Sequence, residues 1–372
     1  MDADVVIIGL GAAGAFAALE LGQRGYNVIG LERNALLHDN GAYAGESRLF
    51  RVAYHEGTEY LPMLLDSRKR WRELQRHGQR NIFEETGVLS IGAPDSPNLV
   101  NVQRSLTEGN LPHEVLEADQ LRHRFPQQKD LRDDVGFLDQ LGGVLRPEAA
   151  VAEIQRQAQA HGASLRPYSE VQAVEERSGA VDVVTSAGTL RAAHVIVSAG
   201  VWTPAILPQL TELLTIKPIA LTWYAPVDPH QFAPDIFPGF IRDRGDVHVF
   251  GAPTMDGSLV KVGLAAEWGE IDSPESLRRR LTTDELDRVE SSVQSFLHGL
   301  PNGTSRQSVH MDVFTDNKRP IIAKVGDRIT VATGFSGHGF KLSPALGLAA
   351  ATTAVDIESP YDLSPFRLER FT

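Results

Sequence analysis

Two separated parts of the chain combine residue types and spacing that suit chemistry. The first is near the N-terminus, where Gly9, Gly11 and Gly14 follow the apolar run 5–8 in the spacing G-x-G-x-x-G. The first glycine permits a tight turn, the second lets the backbone approach a pyrophosphate, and the third lets the next helix pack on the strand. Glu32 follows at roughly the twenty-residue offset of a ribose-binding carboxylate. The pattern predicts a dinucleotide site, and the alternative is an ordinary strand–helix–strand unit.

The second part is a set of basic residues in apolar or glycine-rich surroundings. Arg48 and Arg51 are three residues apart, which predicts that they share one side of a helical turn. Lys261 lies between Val260 and Val262 in a predicted strand, where a buried ammonium would be costly unless it is used. The alternative is an outward-facing lysine on an alternating strand. These residues are candidates for binding or stabilising negative charge.

Composition limits the classes of partner. The 372 residues contain 36 Lys and Arg against 48 Asp and Glu, a formal net charge of -12, which disfavours nucleic acid and anionic membranes. The chain contains no cysteine, which excludes disulfides, thiolate metal sites and a cysteinyl cofactor link. No apolar run reaches the roughly eighteen residues that span a bilayer, and the N-terminus enters the first strand without a basic leader. We expect a cytoplasmic protein, monomeric or a small homo-oligomer, that binds no metal.

The elements that must position these residues alternate strand and helix at both ends of the chain. Antiparallel strands are predicted between them, and a helix is predicted from about Ser343 after the last glycine-rich loop. This order predicts an α/β nucleotide-binding Rossmann domain that is discontinuous, with an inserted antiparallel-sheet domain over its ligand. We expect residues 1–87, 146–214 and 318–372 in the first domain, and 88–145 and 215–317 in the second.

Taken together, these stretches resemble the flavin-dependent amine oxidases of the D-amino-acid-oxidase superfamily. The resemblance is greatest to the branch that holds monomeric sarcosine oxidases, N-methyltryptophan oxidases and fructosyl-amino-acid oxidases. It implies FAD, a glutathione-reductase-like FAD domain, and oxidation of a secondary amine to an imine with reduction of oxygen to peroxide. The matching segments are Val5–Gly14 with Glu32, residues 45–51, Val195–Trp202, Lys261 with Gly263, and Gly334–Lys341.

The resemblance also implies roles for particular residues. Arg51 and Lys341 match a clamp for the substrate carboxylate, Arg48 a residue against the flavin, and Lys261 a lysine that activates oxygen. Phe250 and Asp312 match pocket tyrosines. For Arg51, Lys261 and Lys341 the alternative is a solvated surface role. The loop 337–339 would face the negative charge of the reduced flavin. The residues expected to bind the cofactor are Gly9, Gly11, Ala13, Gly14, Glu32, Arg33, Ser47, Arg48, Val171, Ala199, Gly200, Trp202, Gly337, His338, Gly339 and Lys341.

Departures from the family pattern bear on the substrate. His310 stands where sarcosine oxidases attach FAD through cysteine, so we expect non-covalent FAD, with a histidyl link as the alternative. Ala44 and Ala265 replace two histidines and leave more room, and Asp312 adds a polar acceptor. These changes favour a larger, hydroxyl-bearing N-substituent, and hence a fructosyl amino acid, over a methyl group.

The sequence therefore predicts an FAD oxidase of N-substituted amino acids, with an amine and O2 as its small-molecule partners. Four alternatives stay open. They are a sarcosine or other N-methyl-amino-acid oxidase, an FAD dehydrogenase that passes electrons to a partner, a nicotinamide-dependent dehydrogenase, and a non-catalytic FAD-binding module.

Overall fold

The computed structural model describes residues 1–371, which form helices packed against mixed β-sheets. No helix within these residues is long and apolar enough to cross a membrane. The strands are β1 (Ala3–Ile8), β2 (Val28–Leu31), β3 (Arg48–Phe50), β4 (Phe83–Glu84), β5 (Val88–Gly92), β6 (His113–Leu116), β7 (Val135–Asp139), β8 (Gly143–Leu145), β9 (Ser164–Arg166), β10 (Val171–Arg177), β11 (Ala180–Thr185), β12 (Gly188–Val197), β13 (Thr215–Tyr224), β14 (Gly239–Arg244), β15 (Val247–Ala252), β16 (Val260–Leu264), β17 (Arg306–Phe314), β18 (Ile321–Lys324) and β19 (Ile329–Thr333). The α-helices are α1 (Ala12–Gln23), α2 (Leu61–His77), α3 (Pro97–Glu108), α4 (Ala118–Arg124), α5 (Pro147–Ala160), α6 (Thr203–Ile206), α7 (Thr283–Phe296) and α8 (Gly339–Ala354).

The first sheet has a parallel centre in which β1 lies between β2 and β12, and β12 also pairs with β19. Strand β1 is apolar and nearly all buried, as expected of a strand covered on both faces. Helix α1 packs against α5 and α8 on one face of this sheet. Gly25, with φ of +83°, follows α1 and lets the chain turn into β2. The carboxyl ends of these parallel strands therefore meet at one edge.

The second sheet has the order β17-β13-β16-β15-β14-β5-β7-β6 and is antiparallel except between β14 and β5. Its strands alternate between a face buried with α7 and a face that carries Lys261, Phe250 and Asp312. Helix α7 begins with a capping box in which Thr282 and Glu285 satisfy each other's backbone N–H groups. Sequence reasoning did not identify β14 and β17 as strands.

A small third sheet corrects the expectation for the two arginines. Arg48 begins β3, which pairs with β8 through the register Arg48 with Leu145, so no helical turn connects Arg48 to Arg51. The pairing with β8 overrides the local spacing, because Leu49 and Phe50 pair opposite Val144 and Gly143. The prediction that Arg48 and Arg51 share a helical turn is wrong.

Helix α8 begins earlier than expected. It starts at Gly339 rather than near Ser343, so Lys341 belongs to its first turn and Pro344 lies inside it. Pro344 is the sixth residue of the helix and has no N–H to donate to the Phe340 carbonyl, so the helix lacks one hydrogen bond there. The assignment of segments to two domains stays a proposal, although the first two sheets use strands from the corresponding segments.

Candidate active site

One cavity of about 890 Å³ gathers nearly all of the predicted site residues. Residues at the carboxyl edge of the first sheet line one side of the cavity. Residues on the face of the second sheet that carries Lys261, Phe250 and Asp312 line the other. Its volume lies in the range of small-molecule and cofactor sites. Predicted residues that line it are Gly9, Gly11, Ala13, Glu32, Arg33, Ser47, Arg48, Arg51, Val171, Ala199, Gly200, Trp202, Phe250, Lys261, Asp312, Gly337, His338, Gly339 and Lys341.

Gly14 does not line the cavity but closes the glycine turn from behind. A Cβ atom on Gly14 would lie 2.0 Å from the carbonyl oxygen of Gly9, and one on Gly9 would lie 2.4 Å from that of Ser198. Gly9 also has φ of +90°. At Gly11 the nearest atom to an added Cβ is 4.0 Å away, on Tyr43. Gly9 and Gly14 are thus required by backbone packing, whereas Gly11 keeps space open on the cavity side.

Glu32 lies at the end of β2 on the cavity wall. Its carboxylate accepts the backbone N–H of Leu10 at 3.1 Å and that of Asn34 at 3.0 Å. Burial opposes ionisation, but hydrogen bonds from His38 and Asn34 outweigh it and lower the pKa of Glu32. The carboxylate is therefore an anion that ties the glycine turn to the second strand. Its contact with a ribose stays a prediction.

Two basic side chains, those of Lys261 and Arg48, meet under the loop that carries residues 42–47. Lys261 Nζ donates to the carbonyl oxygens of Gly45 (3.1 Å) and Ser47, and Arg48 donates to the carbonyls of Ala42 (2.9 Å) and Ser47 (2.8 Å). Burial, and then the Arg48 charge, lower the pKa of Lys261 well below its usual range. Lys261 is 5% exposed, which excludes the outward-facing alternative.

Glu148, in the first turn of α5, fixes the other side of the same loop. Its Oε1 accepts the backbone N–H groups of Gly45 (2.7 Å) and Glu46 (3.0 Å). Among the neighbouring anions, Glu148 does most to raise the pKa values of both Arg48 and Lys261. Sequence reasoning missed this residue, because 103 positions separate it from Gly45.

Asp312 is a buried carboxylate at the glycine-rich loop. It accepts the backbone N–H groups of Gly337 and Val313, each at 2.8 Å. Burial raises the pKa of Asp312 to about 6, against the opposing effect of those N–H groups and of Arg48. The side chain projects from β17 opposite Lys217 and lines the cavity.

Arg51 and Lys341 flank the ring of Tyr54. The Arg51 guanidinium carbon is 4.8 Å and Lys341 Nζ is 5.1 Å from the ring centroid. Arg51 also donates to Glu56 Oε1 at 3.0 Å. Burial, and then the charge of Arg51, lower the pKa of Lys341 to about 7. The Arg51 guanidinium and an amine that is about half protonated at neutral pH therefore share one wall of the cavity, partly balanced by the Glu56 anion.

The side chain of His338 turns away from this wall. His338 Nε2 donates to the Lys318 carbonyl oxygen at 2.7 Å, so its Nδ1 accepts the Tyr54 hydroxyl at 2.7 Å. Burial lowers the pKa of His338 to about 4, which keeps the ring neutral. The ring positions Tyr54, and Lys341 Nζ donates to the His338 carbonyl oxygen at 3.1 Å.

Two positions compared with the family lie off the cavity wall within residues 1–371. Ala44 packs with Tyr43 and Val151. His310 lies behind the loop, where its Nε2 is 2.8 Å from Ser308 Oγ and its buried Nδ1 has no partner among the described residues. Burial, and then Arg48, lower the pKa of His310 to about 4. A histidyl link stays the alternative to non-covalent FAD.

Imidazoles are nevertheless present on the wall, at positions that sequence reasoning missed. His55 and His248 both line the cavity, with ring centroids 5.8 Å apart. The alternation of β15 was a usable signal for His248, because it lies two residues from Phe250 and so on the same face.

A sequence profile described as DAO, FAD dependent oxidoreductase, matches residues 4–353. Monomeric sarcosine oxidase of Streptomyces avermitilis is 33% identical over 360 residues, which cover 95% of this chain and 93% of that protein. N-methyl-L-tryptophan oxidase of Yersinia pestis is 32% identical over 375 residues, covering 100% of both chains. The chain belongs to the DAO family of FAD-dependent oxidoreductases.

Solved structures show the same fold as this DAO family member. NikD, an unusual amino acid oxidase essential for nikkomycin biosynthesis, matches in its open form with a TM-score of 0.86 at 24% identity, covering 98% of this chain and 97% of that one. Amadoriase I of Aspergillus fumigatus, a fructosyl amine:oxygen oxidoreductase, matches with a TM-score of 0.80 at 17% identity, covering 98% and 89%. The predicted fold class and superfamily are confirmed. The nicotinamide-dependent and non-catalytic alternatives are wrong.

Three structural observations that do not depend on the family comparison indicate that the cavity fits FAD. The N-terminus of α1 has no side-chain cap at Gly11, so its first N–H groups remain available to a pyrophosphate. Two buried polar atoms on the wall, Trp202 Nε1 and Ser343 Oγ, have no partner among residues 1–371. Arg33 lies over the Trp202 ring at 4.9 Å. Unpaired buried groups of this kind are costly unless a ligand satisfies them.

Proposed function

We propose that this protein oxidises the secondary-amine C–N bond of N-substituted α-amino acids, with O2 as the electron acceptor and hydrogen peroxide as a product. The observation that carries the proposal is the pair of buried cations, Arg51 and Lys341, on the wall of the cavity that fits FAD. Bound FAD would accept two electrons from the amine and return them to oxygen. The protein itself must bind the carboxylate, orient the amine and stabilise negative charge.

The two cations suit a carboxylate in different ways. Arg51 presents a planar fork that matches two carboxylate oxygens, whereas Lys341 presents a point charge. Arg51 already donates through Nη2 to Glu56 and through Nη1 to His55, so a bound carboxylate would displace these partners or share Arg51 with them. The pair therefore selects an acid over a simple amine.

Lys261 and Arg48 supply positive charge next to the loop 42–47. Their side chains are held by backbone carbonyls rather than by carboxylates, so most of their charge is not neutralised by direct ion pairs. We assign to Lys261 the activation of oxygen, because a cation favours the negative charge that forms on oxygen. Arg48 and the N–H groups in the first turn of α8 favour negative charge on the reduced cofactor.

Two N-substituents have support. The relatives at 32% and 33% identity are named for sarcosine and N-methyl-L-tryptophan, which favours an N-methyl group. A fructosyl group is favoured by the small Ala265 and the polar Asp312 on the cavity wall, and Amadoriase I shares the fold. We propose N-substituted amino acids as the class and fructosyl amino acids as the finer candidate.

Anaerobic titration of the FAD-loaded protein tests the proposal. Sarcosine, N-methyl-L-tryptophan, fructosyl-glycine and fructosyl-valine are added separately, and loss of flavin absorbance is followed before air is admitted and peroxide is measured. Bleaching followed by stoichiometric peroxide is expected with at least one of them. Bleaching without peroxide would assign the protein to dehydrogenases that use a partner, and no bleaching with any of them would reject the proposed class. Comparing kcat/KM for sarcosine and fructosyl-glycine decides between the two N-substituents.

We also propose that FAD is bound without a covalent link. Unfolding the protein in acid and separating it from small molecules is expected to leave all flavin in the soluble fraction. Flavin that stays with the protein would instead indicate a histidyl link, with His310 the residue to replace.

A further inference from the structure

A chain of polar side chains extends from the carboxylate-binding wall along the cavity. Arg51 Nη1 donates to His55 Nδ1 at 2.7 Å, and the His55 ring contacts the His248 ring edge to face. His248 Nδ1 lies 2.6 Å from Asp243 Oδ1, and the Asn98 amide donates to the same oxygen at 3.2 Å. His55, His248 and Asn98 all line the cavity. His248, Asp243 and Asn98 have no part in the proposed binding of the carboxylate, the amine or oxygen.

The strands place His248 in the wall by simple alternation. His248 pairs with Asp243 across β14 and β15, and its carbonyl oxygen accepts the backbone N–H of Ala265, just beyond β16. His248 and Phe250 therefore share the cavity face, and the small Ala265 beside His248 leaves its ring uncovered on that side. The sheet thus presents the imidazole of His248 to the cavity beside Ala265, whose side chain is only a methyl group.

The ionisation state of the Asp243 carboxylate indicates which ring nitrogen of His248 carries the proton in their hydrogen bond. Burial opposes ionisation of Asp243, but the hydrogen bond with His248 outweighs it and lowers the pKa of Asp243. An ionised carboxylate only accepts, so His248 donates through Nδ1. In the tautomer that carries its proton on Nδ1, the other ring nitrogen, Nε2, is an acceptor, and it has no hydrogen-bond partner within residues 1–371.

A second acceptor without a partner lies at the same end of the cavity. Glu56 Oε1 binds Arg51, but the buried Oε2 has no partner among the described residues. Burial opposes ionisation of Glu56, but Arg51 and then His55 outweigh it and hold its pKa below its usual range. His55 is kept neutral, because burial and the Arg51 charge lower its pKa to about 3. This end of the cavity therefore offers acceptors, and a ligand must bring the donors.

We infer that His248, oriented by Asp243, selects substrates that carry a hydrogen-bond donor on an arm beyond the amine and the carboxylate. The arm bears a hydroxyl or an N–H group, and it extends either from the nitrogen or from the α-carbon. Sites built to bind a hydroxyl discriminate strongly against analogues that lack it, because the buried acceptor is left unpaired. His248 is thus a specificity residue, and the inference rests on the proposed oxidation of N-substituted amino acids.

Two matched pairs of amino acids test the inference on the holoenzyme. The first pair, N-(2-hydroxyethyl)glycine and N-propylglycine, places the arm on nitrogen. The second pair, N-methylhomoserine and N-methylnorvaline, places it on the α-carbon. Within each pair only a hydroxyl and a methyl group differ. We expect the wild-type kcat/KM to favour the hydroxyl member of at least one pair by about tenfold or more, as one hydrogen bond allows.

Variants then assign the preference to His248. In His248→Leu the kcat/KM of the preferred hydroxyl substrate is expected to fall about tenfold, as loss of one hydrogen bond would produce, with little change for its partner. His248→Gln, which keeps an acceptor, should recover part of the preference, and Asp243→Asn should weaken it. The matched control is His123→Gln, an exposed histidine on α4.

The outcomes separate this inference from the proposed function. No flavin reduction by any amino acid in the wild type would reject the proposed function. Oxidation of both members at equal rates in the wild type, or an equal loss for both in His248→Leu, would overturn the role of His248 and leave the function standing.

Discussion

The two ends of the cavity are built by different means. At the nucleotide end, Gly9 and Gly14 act through backbone packing and Gly11 keeps space open, and the three residues lie within one strand–turn–helix unit completed by Glu32. At the reaction end, Lys261 and Asp312 are buried charged side chains from different strands of the second sheet. The residues of the first end are close together in sequence, and a turn of this kind can bind a dinucleotide in enzymes that catalyse different reactions. The second is assembled from distant segments, and we propose that it determines which chemistry occurs.

This difference predicts that substitutions at the two ends have separable effects. Changes at the glycine turn alter stability and FAD content. Changes among the buried charges alter rates and substrate binding while FAD remains bound. The four predictions below test that separation, in order of decreasing effect.

Replacing Lys261 by Met should slow the reaction of the reduced enzyme with oxygen by about 10²- to 10³-fold, the loss typical of one preorganised charge. Reduction of the enzyme by substrate should change little. Stopped-flow measurement of the two half-reactions separates these effects, and Lys69→Met, at an exposed position of α2, is the control. An unchanged oxygen rate would remove Lys261 from the proposed chemistry.

Replacing Gly14 by Ala should destabilise the fold by about 2–3 kcal/mol or more, because its Cβ would overlap the Gly9 carbonyl. Gly11→Ala, whose Cβ meets no close atom, should lower FAD content with little loss of apoprotein stability. Thermal unfolding of both apoproteins and flavin-to-protein ratios measure the two effects. Equal destabilisation by the two substitutions would contradict the division of roles between these glycines.

Replacing Arg51 by Lys should raise KM for the amino acid by about ten- to a hundredfold, because the planar fork is lost and a charge-assisted hydrogen bond is worth roughly 1.5–3 kcal/mol. FAD content and the rate with oxygen should stay near the wild-type values. Steady-state kinetics with the best substrate provides the measurement. A lower FAD content would instead place Arg51 with the nucleotide end.

The affinity for a simple carboxylate such as acetate should fall with rising pH. Lys341, with a pKa of about 7, is an ammonium below that value and neutral above it. Its attraction for an anion is therefore present at low pH and lost as the pH rises through 7, by up to about tenfold between pH 6 and pH 8. Flavin difference spectra give Kd at each pH. Lys341→Met should bind acetate weakly at every pH, and a slope that persists in this variant would assign the titration to another group.

Much of the nucleotide end could be predicted from the sequence. The run 5–8, the glycine spacing and Glu32 lie close enough along the chain that strand and turn chemistry dictate their geometry. The loop 334–341 and Lys261 were also identified, because they match the flavin-dependent amine oxidases and because glycines before a helix and a lysine among apolar residues are unusual. The expected helical turn for Arg48 and Arg51 failed, since pairing of β3 with β8 outweighed the local spacing.

The sequence alone thus determined the fold class, the family and the identity of nearly every predicted residue on the cavity wall. Only the tertiary structure decided how those residues are paired. Glu148 on the loop 42–47, Glu56 on Arg51, and Asp243 behind His248 are contacts made after folding. The physical reason is that hydrogen bonds and burial depend on distances between strands and helices remote in sequence, whereas glycine turns depend on neighbouring residues. For that reason, the nucleotide anchor could be predicted from the chain, but the polarity of the substrate wall could not.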